Sequence, residues 1–228
     1  MNEDILFINR GQIGLITLNR PKALNALNAD MCRALREKLN AWAEDDTVKA
    51  VVIQGAGDKA FCAGGDVVAL YKSGMAYRDG DQTSLEWQRF FREEYRMNTV
   101  IKEFPKPYIA ILDGITMGGG VGISVHGSHC VATERTMLAM PETGLGLVPD
   151  VGGGWFMPRL EGEVGMYLAL TGDRLKAPET CALGITSGVV PSEQLEALIS
   201  ALADNASDVD GTLGKFFQEP GASKLDPH

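Results

Sequence analysis

The stretch that decides the fold reads Asp113-Gly-Ile-Thr-Met-Gly118-Gly119-Gly120-Val-Gly122. An apolar run typical of a strand, residues 108–112, leads into it, and an apolar run typical of a helix, residues 121–125, follows it. The first N–H groups of a helix have no partner inside the helix and carry a partial positive charge. The stretch therefore predicts free backbone donors at a junction between a strand and a glycine-led helix over residues 119–127.

A second glycine cluster, Phe61-Cys62-Ala63-Gly64-Gly65-Asp66, follows another apolar strand at residues 51–54. Two such donors facing one oxygen would form an oxyanion hole. Glycine clusters also occur in tight turns and at close packing contacts, and spacing alone leaves that alternative open. Neither cluster has the lysine of a Walker loop or the last glycine of a dinucleotide fingerprint, which argues against a nucleotide phosphate loop.

Composition limits the class of protein. The chain has 228 residues, of which 45% are hydrophobic and 22% charged, as expected for a globular domain with a substantial core. The net charge of −9 argues against nucleic acid as a partner. No apolar run is long enough to span a membrane and no targeting segment is recognisable, so we expect no membrane partner and a cytoplasmic location.

Cysteine and histidine spacing gives no sign of a metal site. The four cysteines form no Cys-x-x-Cys pair, which is typical of reduced, buried thiols. His126 and His129 lie three residues apart without a third nearby ligand, so we expect no metal.

Strands alternating with helices along the chain predict an α/β fold. Residues 1–203 are expected to form the core domain, with a mobile loop at residues 74–83. Residues 204–228 lose apolar periodicity and are expected to be a polar, poorly ordered tail.

Three further motifs complete a recognisable set: Phe91-Arg-Glu-Glu94-Tyr95, Met140-Pro-Glu142-Thr-Gly144 and Pro149-Asp150-Val-Gly-Gly-Gly154. With the two glycine clusters, they make the chain, from about residue 5 to about residue 190, resemble the crotonase (enoyl-CoA hydratase/isomerase) superfamily, and within it the 3-hydroxyisobutyryl-CoA hydrolases. The resemblance implies a right-handed spiral of strand-strand-helix turns. It also implies an acyl-CoA thioester substrate from valine breakdown, and no metal or organic cofactor.

The resemblance assigns catalytic roles to four residues. The N–H groups of Gly65 and Gly119 polarise the thioester carbonyl. Glu142 either attacks the acyl carbon or activates water, and Asp150 orients water or the substrate hydroxyl. From the residues alone, Glu142 could instead be a solvated loop glutamate or a helix cap, and Asp150 could be an N-cap of the helix that follows it.

Substrate-binding roles also follow from the resemblance. Glu94 contacts the short acyl chain, although from the sequence it could equally be one charge on a solvated helix face. The matched segments along the CoA channel contain Lys22, Ala23, Lys59, Phe61, Ala63 and Gly64. Lys22 and Lys59 could pair with phosphates, or could be ordinary surface lysines.

Gly122 stands where the resembling hydratases carry a second glutamate, two residues after the triple glycine, so hydrolysis is favoured over hydration. The alternatives are an enoyl-CoA hydratase or isomerase, a serine hydrolase using Ser124, and an acyl-CoA-binding protein without activity. The serine hydrolase is disfavoured because no glycine follows Ser124 at the spacing of a nucleophile elbow.

The resembling hydrolases continue with a further block of helices beside the acyl pocket, which is not in this sequence. We therefore expect exposed apolar surface beside the pocket, self-association into homo-oligomers and reduced activity.

Overall fold

The computed structural model describes residues 3–225, and all structural statements below refer to that part of the chain. The strands form one six-stranded and one four-stranded sheet. They are β1 (Ile5–Arg10), β2 (Ile13–Leu18), β3 (Ala50–Gly55), β4 (Ala60–Cys62), β5 (Tyr108–Leu112), β6 (Ile115–Met117), β7 (His129–Ala132), β8 (Met137–Ala139), β9 (Leu175–Lys176) and β10 (Gly188–Val189).

The helices occupy the segments between the strands, which confirms the predicted α/β class. They are α1 (Ala29–Ala43), α2 (Val67–Arg78), α3 (Glu86–Lys102), α4 (Gly119–Gly122), α5 (Gly153–Phe156), α6 (Val164–Thr171), α7 (Ala177–Ala182), α8 (Leu195–Asp204) and α9 (Val209–Gly214). None of these helices is both long enough and apolar enough to cross a membrane.

The large sheet has the order β1-β2-β3-β5-β7-β10. An antiparallel hairpin of β1 and β2 starts it, turning at Gly11 with φ +54°. The remaining neighbours pair in parallel. Residues of β3 and β5 are buried on both faces, as expected where helices cover a parallel sheet on both sides.

Two apolar cores cover the faces of this sheet. Helix α1 starts at the N-cap Asn28, whose side chain accepts a hydrogen bond from Met31 N at 2.8 Å, and contributes Leu35, Leu39 and Trp42 to the larger core. Their spacing of three and four residues places them on one helix face. Helices α8 and α9 cover the opposite face of the sheet.

The small sheet brings the two glycine clusters together. Its order is β4-β6-β8-β9, with β4 and β6 parallel and Cys62 opposite Thr116. Both strands run the same way, so the glycines that follow them emerge at the same edge of the sheet. The sheet therefore places residues 63–66 beside residues 118–120.

Three elements differ from the sequence expectations. Helix α4 ends at Gly122 instead of residue 127, because the chain turns at residues 123–128. The expected loop at residues 74–83 is helical as far as Arg78. Helix α2 stays exposed along much of its length, which hides the periodicity that would have indicated it.

The segment from residue 204 also departs from the expected poorly ordered tail. Helix α9 buries Val209 and Leu213 against the sheet, and Gln218 N donates to Val189 O at 2.9 Å. Val209 and Leu213, four residues apart, are enough to dock a six-residue helix. Two apolar residues are too few to predict a helix in a polar sequence. Residues 226–228 of the expected tail lie outside the described residues.

Candidate active site

Two backbone donors face one space at the junction of the small sheet and α4. A Cβ built on Gly119 would lie 3.4 Å from Gly65 N, and one built on Gly64 would lie 3.4 Å from Gly119 N. Within the described chain, neither Gly65 N nor Gly119 N makes a hydrogen bond. The arrangement leaves a pair of unpaired N–H groups suited to hold one oxygen.

Glycine is required where the strand meets α4. Gly118 has φ +48° and ψ −117°, a backbone conformation that side-chain-bearing residues rarely adopt. At Gly120, a Cβ would collide with Cys62 O of the neighbouring strand. These contacts fix the close approach of α4 to β4, and with it the position of the two donors.

Glu142 is buried directly beside these donors. It follows β8 in a short 3-10 turn, Glu142–Leu145, and is only 6% exposed. Its Oε1 would lie 2.7 Å from a Cβ on Gly118, and its Oε2 has no hydrogen-bond partner. The structure therefore rules out the solvated loop glutamate, and the N-cap of the turn is Pro141 instead of Glu142.

Glu94 approaches the same space from the long helix α3. It is 2% exposed, so it does not belong to a solvated helix face, and its Oε1 lies where a Cβ on Gly119 would collide with it. Burial, reinforced by Asp150 and Glu142, raises the pKa of Glu94 to about 8. A carboxyl with this pKa is largely protonated at neutral pH and can donate a hydrogen bond.

Burial also raises the pKa of Glu142 to about 7, with a further contribution from the charge of Asp150. A general base is most effective when its pKa lies near the working pH. Glu142 therefore has the environment of a base for neutral conditions.

Asp150 completes a group of three carboxyl side chains. Its Oδ2 accepts a hydrogen bond from Tyr95 Oη at 2.6 Å. The pKa of Tyr95 is raised by burial and by this hydrogen bond, so the phenol keeps its proton and remains a donor. The side chain of Asp150 does not cap α5; only its carbonyl oxygen accepts from Gly153 N. A cleft of about 670 Å³ extends from Asp150 and Tyr95 to Trp155.

Lys22 and Lys59, far apart in sequence, line one cleft of about 250 Å³. Ala23 lies beside Lys22 in the 3-10 turn Pro21–Ala23. The buried Asn25 joins the two sides of the cleft, since its Nδ2 donates to Ala56 O at 3.0 Å and to Ala60 O at 2.8 Å. The structure thus brings the two lysines together at a position where phosphates could bind.

Phe61 differs from the expected substrate contact. Its side chain is fully buried in the larger core, so only its backbone could face a ligand. Ala63 is held by its N–H, which donates to Leu24 O at 3.0 Å, and Gly64 follows with φ +104°. The two residues lead the chain from β4 to the donor Gly65.

The arrangement gives no support to a serine nucleophile. Ser124 Oγ is fully buried and lies 2.9 Å from both Gly120 O and Val121 O, with which it hydrogen-bonds. Between residues 3 and 225, no group of three His, Cys, Asp or Glu side chains is placed to hold a metal ion.

Tyr95, Asn25 and His126 are the site residues that sequence reasoning missed. Tyr95 lies inside a quoted motif, but its partner Asp150 is 55 residues away. The two acceptors of Asn25 Nδ2 are 31 and 35 residues away. His126 was considered only as a metal ligand, whereas its Nε2 lies 2.6 Å from Val151 O. No periodicity or spacing signals such contacts.

Comparison to known proteins shows the family of the chain. The chain belongs to the enoyl-CoA hydratase/isomerase family, whose pattern it matches over residues 13–227. It is 50% identical over 220 residues to the mitochondrial 3-hydroxyisobutyryl-CoA hydrolase of Danio rerio, and 44% identical over 228 residues to that of Homo sapiens. The matches cover 95% and 98% of this chain but 56% and 57% of those proteins. The chain thus spans little more than half the length of these relatives.

Solved structures give the same fold. A carnitinyl-CoA dehydratase from Mycobacterium thermoresistibile superposes with a TM-score of 0.89 at 44% identity, covering 98% of this chain and 64% of that protein. An enoyl-CoA hydratase from Rhodobacter sphaeroides superposes with a TM-score of 0.83 at 38% identity, covering 98% of this chain and 62% of that protein. The expected crotonase-like architecture is confirmed.

The comparisons contradict the expected cytoplasmic location. The relatives from Danio rerio, Rattus norvegicus and Mus musculus are all named as mitochondrial enzymes. The expectation was wrong because it relied on the lack of a recognisable targeting segment in the sequence at hand.

Proposed function

We propose that the chain carries the catalytic site of an acyl-CoA thioester hydrolase that acts on 3-hydroxyisobutyryl-CoA in valine catabolism. One observation carries the proposal: the unpaired N–H groups of Gly65 and Gly119 lie beside Glu142, a buried carboxyl whose pKa is raised to about 7. Thioester hydrolysis requires a polarised carbonyl and a base or nucleophile near it. Identity to the named hydrolases supports the choice of acyl group.

In this mechanism the thioester oxygen accepts hydrogen bonds from Gly65 N–H and Gly119 N–H, which stabilise the negative charge of the tetrahedral intermediate. Glu142 either removes a proton from the attacking water or attacks the acyl carbon itself. The C–S bond breaks, and the CoA thiolate leaves and takes up a proton. Water hydrolyses the anhydride if Glu142 is the nucleophile.

Asp150 and Glu94 have complementary roles in the proposal. Asp150, held by Tyr95, accepts a hydrogen bond from water or from the substrate hydroxyl. Glu94, protonated at neutral pH, faces the short acyl chain from α3. The phosphates of CoA bind at Lys22 and Lys59. No metal or organic cofactor takes part, so treatment with a chelator should leave the activity unchanged.

Hydration or isomerisation of an enoyl-CoA is the second candidate, because Glu94 and Glu142 form a pair of buried carboxyls. Against it, the hydratase glutamate has no space at Gly122, where a Cβ would lie 2.6 Å from Val151 Cβ. Glu94 and Glu142 would then have to catalyse hydration without the acid that the resembling hydratases use at that position.

A product assay distinguishes the two reactions. We expect the chain to release free CoA thiol from 3-hydroxyisobutyryl-CoA and not to hydrate crotonyl-CoA. Thiol release is followed with a thiol reagent, and hydration by loss of the enoyl absorbance. Loss of that absorbance without thiol release would reject the hydrolase and favour the second candidate. Binding of acyl-CoA without either reaction would identify a non-enzymatic binding protein.

The proposal includes self-association. The region from Leu145 to Leu170 exposes large apolar side chains, including Val148 at 69% and Trp155 at 54%. Such a surface supports a homo-oligomer in which copies of the chain cover each other.

A further inference from the structure

His126 lines the same cleft as Asp150 and lies against the backbone of the two residues that follow Asp150. Its ring is 9% exposed, and its Nε2 lies 2.6 Å from the carbonyl oxygen of Val151. A carbonyl oxygen only accepts hydrogen bonds, so Nε2 must carry the proton. Burial lowers the pKa of His126, the hydrogen bond to Val151 O acts in the opposite direction, and Lys102 lowers the pKa further, so the net shift is downward and favours a neutral ring.

Val151 is the residue that this hydrogen bond restrains. It has φ +40°, a strained conformation for a β-branched side chain that persists only where the surroundings enforce it. His126 holds the carbonyl of Val151, while the Val151 side chain fills the space that Gly122 leaves open. The strained residue is thus fixed on two sides.

Gly152 allows the ring to come this close. A Cβ at Gly152 would collide with His126 Nε2 and Cε1, and Gly152 itself has φ +87°. The imidazole therefore packs directly on the backbone of residues 151 and 152.

Asp150 immediately precedes the restrained residue. The direction of its side chain depends on the backbone that His126 and Gly122 hold. Tyr95 then donates a hydrogen bond to the carboxylate in the position that this backbone gives it. Helix α4 begins at Gly119 and ends at Gly122, which contacts Val151. One short helix therefore connects Gly119, whose N–H would donate to the thioester carbonyl, with the segment that carries Asp150.

We propose that His126 is a positioning residue, whose Nε2–H holds Val151 in its strained conformation and thereby places Asp150 relative to the donors Gly65 and Gly119. The catalytic consequence rests on the proposed function. The placement of Asp150 does not, because it can be measured without turnover.

The kinetic test compares three variants by thiol release from 3-hydroxyisobutyryl-CoA. His126→Phe keeps a flat ring but has no donor, and His126→Gln keeps a donor. His129→Gln changes a partly exposed histidine, which contacts Asp210 of α9. We expect His126→Phe to lower kcat by about 10- to 100-fold with KM changed less than about threefold, since small misplacements of a reacting group have effects of this size. His126→Gln should recover most of that loss, and His129→Gln should match the wild type.

Equal losses in His126→Phe and His126→Gln, or an unchanged kcat in His126→Phe, would overturn the proposal. A wild-type chain that releases no thiol would reject the proposed function instead, and the positioning role is then decided by structure. We expect crystals of His126→Phe to show Val151 outside the positive φ region and Asp150 separated from Tyr95. Unchanged positions of both residues would contradict the role.

Nuclear magnetic resonance of the unaltered chain gives a test that no folding defect can obscure. Nitrogen shifts of the His126 ring at neutral pH should show a neutral ring protonated on Nε2. A neutral ring protonated on Nδ1 would leave Nε2 without a hydrogen, which would exclude the hydrogen bond to Val151 and overturn the proposal.

Discussion

Glu142 keeps one carboxylate oxygen without a hydrogen-bond partner in a site that is almost closed to solvent. Leaving a buried acceptor unsatisfied destabilises the folded chain, and groups in this state are frequent at functional sites. A substrate, or a water bound with it, would supply the missing partner.

Replacement of this carboxylate tests its role. Glu142→Gln should reduce thiol release by at least about 100-fold, the usual contribution of general-base catalysis, while CoA affinity stays within a few-fold. Glu161→Gln, at an exposed position, serves as the control and should keep full activity. A Glu142→Gln enzyme with near-normal kcat would remove Glu142 from the mechanism.

The two buried glutamates also make stability depend on pH. Their pKa values, about 8 for Glu94 and about 7 for Glu142, lie above the ordinary value of 4.5 that applies to the unfolded chain. At pH values between 4.5 and about 8, the folded chain therefore binds more protons than the unfolded chain. Stability from this source is fully present below the unfolded pKa and is lost as pH rises through the folded pKa.

Thermal unfolding should show this loss directly. We expect the midpoint temperature of unfolding to decrease as pH rises from about 5 to about 9. The decrease should be smaller in Glu94→Gln, because glutamine cannot ionise at that position. Differential scanning calorimetry across this range measures both slopes. Identical slopes in the two proteins would mean that Glu94 is not the buried titrating group.

Single residues of the site differ in how far they could be predicted from the sequence. Glu142, Asp150 and Glu94 were predicted because their motifs resemble a family, and burial then decided against the solvated alternatives for Glu142 and Glu94. The positive φ of Val151 and its contact with His126 were not foreseeable, because both arise from packing between segments 25 residues apart. Phe61 was assigned to the substrate through a motif that the fold uses for its core.

Among the elements, α4 relates sequence to site most directly. Its four residues make only a single turn, with Val121 N and Gly122 N both donating to Gly118 O. So short a helix has little macrodipole, and the free N–H group of Gly119 is important because of its geometry.

A glycine-to-alanine pair tests this geometry. Gly119→Ala puts a methyl group against Glu94 Oε1 and close to Gly65 N, so thiol release should fall by about 100-fold or more, the effect of losing an oxyanion donor. Gly74→Ala, in α2, meets nothing within 4 Å and should stabilise the chain slightly without changing activity. Equal activity in the two variants would contradict the donor role of Gly119.

Element boundaries were predictable where burial is strong and local signals agree. The start of α1 at its Asn28 cap and the span of β5 follow from the sequence alone. The early end of α4 does not, since Tyr108 Oη, from a distant strand, donates to Ile123 O and fixes the turn there. Helix α9 depends in the same way on a sheet face formed far earlier in the chain.

On the scale of the whole molecule, the exposed apolar surface is the feature least like a soluble monomer. Helix α6 is apolar on both sides: Leu168 packs inward, while Met166, Tyr167 and Leu170 are 58%, 51% and 68% exposed. Helices that are apolar all round are normally covered.

We expect this surface to drive association. Light scattering should detect concentration-dependent assembly of the chain, since apolar patches on the order of several hundred Å² promote contact between molecules. The double variant Met166→Lys with Leu170→Lys should shift the equilibrium toward monomer. Ile8→Lys, at an exposed position on β1, is the matched control and should leave assembly unchanged. A monodisperse wild-type monomer at all concentrations would refute the expectation.

The contact between the first hairpin and α8 bears on how the chain folds as it is made. Gln12 N donates to Ala203 O at 2.8 Å, and Arg10 binds Ser200 across 190 residues of sequence. At a translation rate of about 5 to 20 residues per second, Ser200 is synthesised about 10 to 40 s after Arg10. Throughout that interval Ile13 and Leu15 lack the helix that finally covers them. The nascent chain therefore presents an open apolar sheet face to the ribosome exit and to chaperones until α8 has been synthesised.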